Sequence, residues 1–104
     1  MAAIVVLTTT HDRRSGQKIA KILVQKKVAA CVSLCGGLRS VYRWKSRIRS
    51  SSEALLIIKT SRNVLPKLKK ELKAVHPYET PEFLVLPVAG GSAEYLKWIE
   101  NLGL

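Results

Sequence analysis

Residues 2–10 form an unbroken run of apolar and β-branched side chains without a charge, the pattern of a strand buried on both faces and therefore central in its sheet. Polar residues follow, and Ile19, Ile22 and Leu23 then recur at helical spacing, with Asp12 placed to cap the first turn and Lys26 and Lys27 near the end. Residues 28–44 are strand-like again, broken by Gly36-Gly37. Paired glycines in an extended run mark a bulge or sharp bend, so one long, bent strand is expected. Residues 45–52 read as a basic, short-side-chained connector and residues 54–60 as another apolar strand, the two strands forming a hairpin.

A second helix is expected to start at Ser61 or, better, at Asn63, because Pro66 is tolerated only in a first turn. Leu65, Leu68, Leu72 and Val75 share one face, Lys67, Lys69, Lys70 and Lys73 the other, and His76-Pro77 ends the helix. Residues 83–89 read as a fourth strand that Pro87 confines to an edge. After Gly90-Gly91, Ser92 caps a last helix with Tyr95, Leu96, Ile99 and Leu102 on its apolar face. The order β-α-β-β-α-β-α is that of an α+β, ferredoxin-like split βαβ sandwich. It implies an antiparallel sheet with helices on one face, the first and third strands central and the second and fourth at the edges. The second strand is then a long edge carrying Tyr42 and Trp44, which an oligomer would cover.

The 104 residues, 47% of them hydrophobic, suit a single domain over residues 1–104. No apolar run approaches the ~20 residues of a membrane span, and residues 1–10 lack the basic start of a secretory leader. We therefore expect a soluble, unprocessed, cytoplasmic chain. Its only thiols, Cys31 and Cys35, would lie ~13 Å apart along an extended strand, too far for a disulfide. The 18 Lys and Arg against 7 Asp and Glu give a formal charge of +11, which predicts attraction to polyanions.

Soft sulfur ligands suit Cu(I) or Zn. Cys35, beside the glycines, is the better candidate ligand; Cys31, between Ala30 and Val32, also reads as a small buried hydrophobe. His11 with Asp12 offers an N/O pair, while His76 reads as a structural residue closing a helix. No HExxH or CxxC spacing occurs, so a site for copper or another divalent metal has to be assembled across subunits. No nucleophile with a base and an orienting group is legible, and neither glycine pair fits a phosphate loop; we expect no organic cofactor and no enzyme. Arg39, Arg43, Lys45, Arg47 and Arg49 recur mostly at period 2 and are expected to line one face of the hairpin, with Tyr42 and Trp44 on the other. That makes a basic ferredoxin-like nucleic-acid-binding domain the alternative. The purely aliphatic central strands lack the stacking aromatics of such domains, which argues against specific nucleic-acid binding and leaves a salt-sensitive, non-specific kind.

Ala29-Ala30-Cys31-Val32, then Tyr42-Arg43-Trp44 followed by Glu53 and Lys59-Thr60, then the HPYETPE run over residues 76–82, and Tyr95-Leu96 with Trp98-Ile99 together resemble the CutA family of divalent-cation tolerance proteins. The resemblance spans residues 4–102, and HPYETPE after a helix is its most specific piece. It implies a ferredoxin-like protomer, a tight homotrimer built through strand edges with Tyr42 and Trp44 at the interface, and a PII-like architecture. It further implies a link to copper and other divalent metals, and a cleft between subunits lined by Trp44, Lys59, Tyr78, Glu79 and Glu82. On that basis the expected role is a non-catalytic binding or signalling scaffold, with a purely structural or anchoring trimer as a further alternative. One departure stands out: the family usually places a glycine two residues after the tryptophan, where this chain has Ser46 within Lys45-Ser46-Arg47-Ile48-Arg49.

Overall fold

The computed structural model describes residues 2–104; Met1, part of the N-terminal run read above, lies outside the described residues. The elements follow as β1 (Ala3–Thr10), α1 (Arg13–Gln25), β2 (Cys31–Trp44), β3 (Arg47–Ser61), α2 (Leu65–Val75), β4 (Leu84–Pro87) and α3 (Ala93–Glu100). The sheet order is β2-β3-β1-β4 with every pairing antiparallel, so β1 and β3 are central and Pro87 falls on an edge, as their sequences require. One face of the sheet, carrying Ile4, Val6, Leu56 and Ile58, packs against Ile19 and Leu23 of α1 and Leu68 and Leu72 of α2 in a continuous buried core. Burying a Leu or Ile side chain contributes ~1.5–3 kcal/mol. Helix α3 meets β1 and β3 and buries Ile99 outside that core cluster.

Local chemistry explains the boundaries. The Asp12 carboxylate accepts the Ser15 N–H at 2.8 Å and opens α1. At its other end Lys27 takes a φ of 60° and the Val28 N–H donates to the Leu23 carbonyl, so residues 28–30 close the helix and β2 starts at Cys31, later than its composition suggests. The register slips between Cys35 and Leu38, where Gly37 has a φ of 75°, which is the expected bulge. Ser61 caps a single 3-10 turn over Arg62–Val64 rather than α2 itself, and α2 starts at Leu65 with Pro66 in its first turn. Ser92 stands at the start of α3, but its side chain makes no capping bond.

The largest departure is the hairpin. Residues 47–52 are strand, not connector: Lys45 and Ser46 alone form the turn, both at positive φ as a type I′ turn requires. Tyr42 pairs with Arg49 and Trp44 with Arg47. Because β1 pairs with β3 only as far as Ala54, residues 38–53 stand beyond the sheet as a two-stranded ribbon in a protomer 44 Å long.

Candidate functional site

The polar side chains concentrate where the ribbon leaves the sheet. There the end of β1, Glu53 of β3 and the segment after α2 converge. The Tyr78 hydroxyl donates to the Glu53 carboxylate at 2.6 Å, a short, charge-assisted bond between residues 25 positions apart. Burial pushes the Glu53 carboxyl up, but hydrogen bonds from Ser40, Tyr78 and Thr9 outweigh it and hold it below the usual range. Burial and the neighbouring Glu53 charge push the Tyr78 phenol well above its ordinary value, so it stays a donor throughout the physiological range. Glu82 is raised by burial and then by repulsion from Glu53. Two carboxylates thus share one polar end of the sheet with opposite protonation tendencies.

His76 anchors this corner. It is buried, its Nδ1 accepts the Tyr78 N–H at 3.1 Å, and its Nε2–H donates to the Thr9 carbonyl at 2.8 Å, a pair of partners that demands the neutral ring. Burial accordingly lowers its pKa. The His76 ring also stands 4.9 Å from that of Tyr78, and His11 makes an edge-type contact with the same phenol at 4.7 Å. Pro77, which ends α2, makes this short return possible, so the HPYETPE segment fixes Tyr78 between two histidines. The Tyr78 hydroxyl hydrogen and both His76 ring nitrogens are engaged within the corner, so what it presents outward is the oxygen atoms of the Glu53 and Glu82 carboxyl groups.

The other candidate residues lie elsewhere in the protomer. Lys59 sits on the sheet face opposite the Ile58 core, donating to Ser33 Oγ at 2.9 Å and standing 3.9 Å from Cys31 Sγ. Cys31 is half-buried there, not fully buried, and Cys35 is exposed, with its thiol 3.8 Å from the Gly36 carbonyl. Trp44 is at the ribbon tip, about 12 residues along β3 from Lys59, or roughly 40 Å of strand. Glu79 is exposed in a shallow groove beside α2, with Lys69, Lys73 and Phe83. The five residues assigned to a cleft are therefore brought together only in part within one protomer: Tyr78 and Glu82 share the Glu53 corner, while Trp44, Lys59 and Glu79 do not join it.

The cations of the ribbon divide between its two faces instead of lining one. Arg47 and Arg49 lie directly across from Trp44 and Tyr42 and share their face, whereas Arg39 and Arg43 lie on the opposite face with Val41 and Ile48, and Lys45 is in the turn. Cross-strand partners point the same way, so a tight two-residue turn divides the basic stripe that a longer connector would have left on one side. Glu53, met in the sequence only as part of the family pattern, is a central site residue. Its signal is a lone carboxylate opening the apolar run of residues 54–58; its partner Tyr78 is legible in the HPYETPE segment, while Thr9 and Ser40 carry no signal. Among the described residues, no three His, Cys, Asp or Glu side chains gather as a metal cage, and Cys31, Cys35 and His11 do not meet. One protomer thus does not offer a closed thiolate site.

A family model described as CutA1 divalent ion tolerance protein matches residues 4–102. The chain is 46% identical over 100 residues to the divalent-cation tolerance protein CutA of Thermus thermophilus, covering 95% of this chain and 97% of that protein. It is also 46% identical over 99 residues to the chloroplastic protein CutA of Arabidopsis thaliana, covering 95% of this chain and 54% of that one, so it spans about half the length of the plant relative. Among solved structures, that of CutA1 from Oryza sativa superposes with a TM-score of 0.94 at 38% identity, covering 98% of this chain and 94% of the other.

Proposed function

The chain belongs to the CutA1 family of divalent ion tolerance proteins, and from that premise we propose that it is a cytoplasmic, PII-like homotrimer acting as a non-catalytic binding scaffold in tolerance of copper or another divalent metal. The observation that carries the reading is the apolar surface one protomer leaves uncovered. On the ribbon Val41 is 67% exposed, Ile48 70%, Tyr42 42% and Trp44 45%, and on the outer strand Leu84 and Leu86 are exposed as well. A soluble monomer rarely keeps this many large apolar side chains on both faces of a ribbon and along two free strand edges in water; a partner copy covers them.

Assembly also bears on the metal. Cys31 and Cys35 lie on the sheet face away from the core cluster, and three copies multiply donors that are too few and too far apart in one. In this reading Cys35 supplies thiolate, Cys31 and His11 or carboxylates of other copies complete the set, and affinity rises with pH through the thiol range because each ligand thiol must lose its proton. Light scattering is expected to give three times 11.5 kDa, and a stable monomer refutes the assembly. Titration of Cu(I) into wild type and Cys35→Ser under reducing conditions tests the metal: unchanged affinity and stoichiometry remove the thiol site and leave a structural or anchoring trimer.

A further inference from the structure

We propose that the layer formed by α1 and α2 is a docking surface for the phosphate backbone of duplex nucleic acid, read without regard to base sequence. Both helices use their apolar faces on the same side of the sheet, which turns their remaining faces outward together. Helix α1 contains no carboxylate, and α2 contains only Glu71. Exposed on this layer are Arg14, Lys18 and Lys21 from α1 and Lys69, Lys70 and Lys73 from α2; Glu79 shares a groove with Lys69 and Lys73 and is the acidic neighbour there. The two helices thus carry eight of the 18 Lys and Arg against one Glu, a net +7, while the ribbon over residues 38–53 carries a net +4 divided between its two faces.

Three observations select the partner. Cations four residues apart on a helix, such as Arg14 and Lys18 or Lys69 and Lys73, are separated by a rise of ~6 Å, close to the ~6.8 Å of axis covered by two phosphate steps of one strand. The exposed aromatic residues Tyr42, Trp44, Tyr95 and Trp98 all lie on the ribbon or α3, and Val24 is the one large apolar side chain exposed on these two helices. A membrane-surface helix inserts several apolar and aromatic groups, and a single-strand binder stacks bases on aromatic rings; this layer exposes no aromatic ring and only Val24 among large apolar side chains. Five of the six named cations are lysines, whose ammonium groups act as point charges on phosphate and carry no bidentate base readout, so the binding is sequence-independent.

The proposal is independent of metal binding and of the subunit count. Its test is fluorescence anisotropy of a 20-base-pair duplex of arbitrary sequence with the full-length wild-type protein between 50 and 200 mM NaCl. Neutralising about five phosphates gives a slope of log K against log salt near −4.5, a loss of roughly 500-fold over that range. The quadruple variant Lys18→Gln, Lys21→Gln, Lys70→Gln, Lys73→Gln is expected to keep the wild-type circular dichroism spectrum, flatten the slope by about 3 to 4 and lose at least about tenfold in affinity at 50 mM. A ribbon variant, Arg39→Gln with Arg43→Gln, is expected to stay within about twofold of wild type. Wild-type affinity in the folded quadruple variant overturns the proposal, and so does loss of binding in the ribbon variant alone. Binding to phosphatidylserine vesicles at a salt concentration where the duplex is not bound assigns the layer to a membrane surface and overturns it equally.

Discussion

Replacing Tyr78 by Phe removes one oxygen from the corner where the ribbon leaves the sheet and keeps the ring between His11 and His76. The oxygen lost is the donor of the 2.6 Å bond to Glu53. A hydrogen bond to a charged acceptor contributes ~1.5–3 kcal/mol. Glu53 retains its bonds from Ser40 and Thr9 and is only partly buried, so the carboxylate is not orphaned and the cost falls at the lower end, about 1–2 kcal/mol. For a domain of this size that lowers the melting temperature by roughly 5–10 °C. Thermal melts by circular dichroism at fixed protein concentration measure it, and the pH dependence identifies its source. The folded-state pKa of Glu53 is depressed, so its contribution is complete above the ordinary value of 4.5 and is lost as pH falls through the lower folded value. The gap between wild type and Tyr78→Phe is therefore expected to be full at pH 7 and to shrink by pH 3. The folded-state pKa of Tyr78 is raised, so wild type also loses stability as pH rises past 10.0, a limb the variant lacks, and the gap narrows again. A difference below about 1 °C at pH 7, or one that is constant from pH 3 to pH 10, refutes the reasoning.

Trp44→Ala is expected to weaken the oligomer at least about tenfold, as seen by sedimentation, while Lys70→Ala leaves it intact, because a surface lysine is usually worth less than ~0.5 kcal/mol. The folded-state pKa of His76 is lowered by burial, so its contribution is present above 6.5 and lost as pH falls through the folded value; His76→Gln is expected to melt at more nearly equal temperatures at pH 7 and pH 5 than wild type does. Ser46→Gly is expected to stabilise by about 0.5–1 kcal/mol in urea unfolding, because Ser46 holds a φ of 65° that glycine adopts without a Cβ penalty.

Much of the fold is local in origin and could be read from neighbours in the chain. The charge-free run of β1, the Asp12 cap, the glycine bulge, Pro66 in a first turn and Pro87 on an edge each follow from backbone chemistry within a few residues, and together they restrict the order of elements to one familiar topology. The structure departs from this pattern where a local signal is ambiguous. Residues 47–52 read Arg-Ile-Arg-Ser-Ser-Ser, with a single apolar side chain and no buried face, so their composition hardly distinguishes a free-standing ribbon from a connector; they are strand because β2 continues alongside them and supplies their hydrogen bonds.

Family and sheet order are legible in local pattern, from the charge-free runs, the caps and the HPYETPE segment. Which side chains meet is not, and follows from the packed fold. Glu53 and Tyr78 are joined because the split βαβ crossover returns the chain after α2 to the end of β1, and Lys59 reaches Ser33 because two strands share a register. The same register put Arg47 and Arg49 beside Trp44 and Tyr42 and kept Trp44 far from Lys59. Periodicity fixes the face on which a side chain lies within its own element. Proximity between elements is set by crossover, register and turn length, which are cooperative properties of the whole packed chain and leave no mark on any single residue.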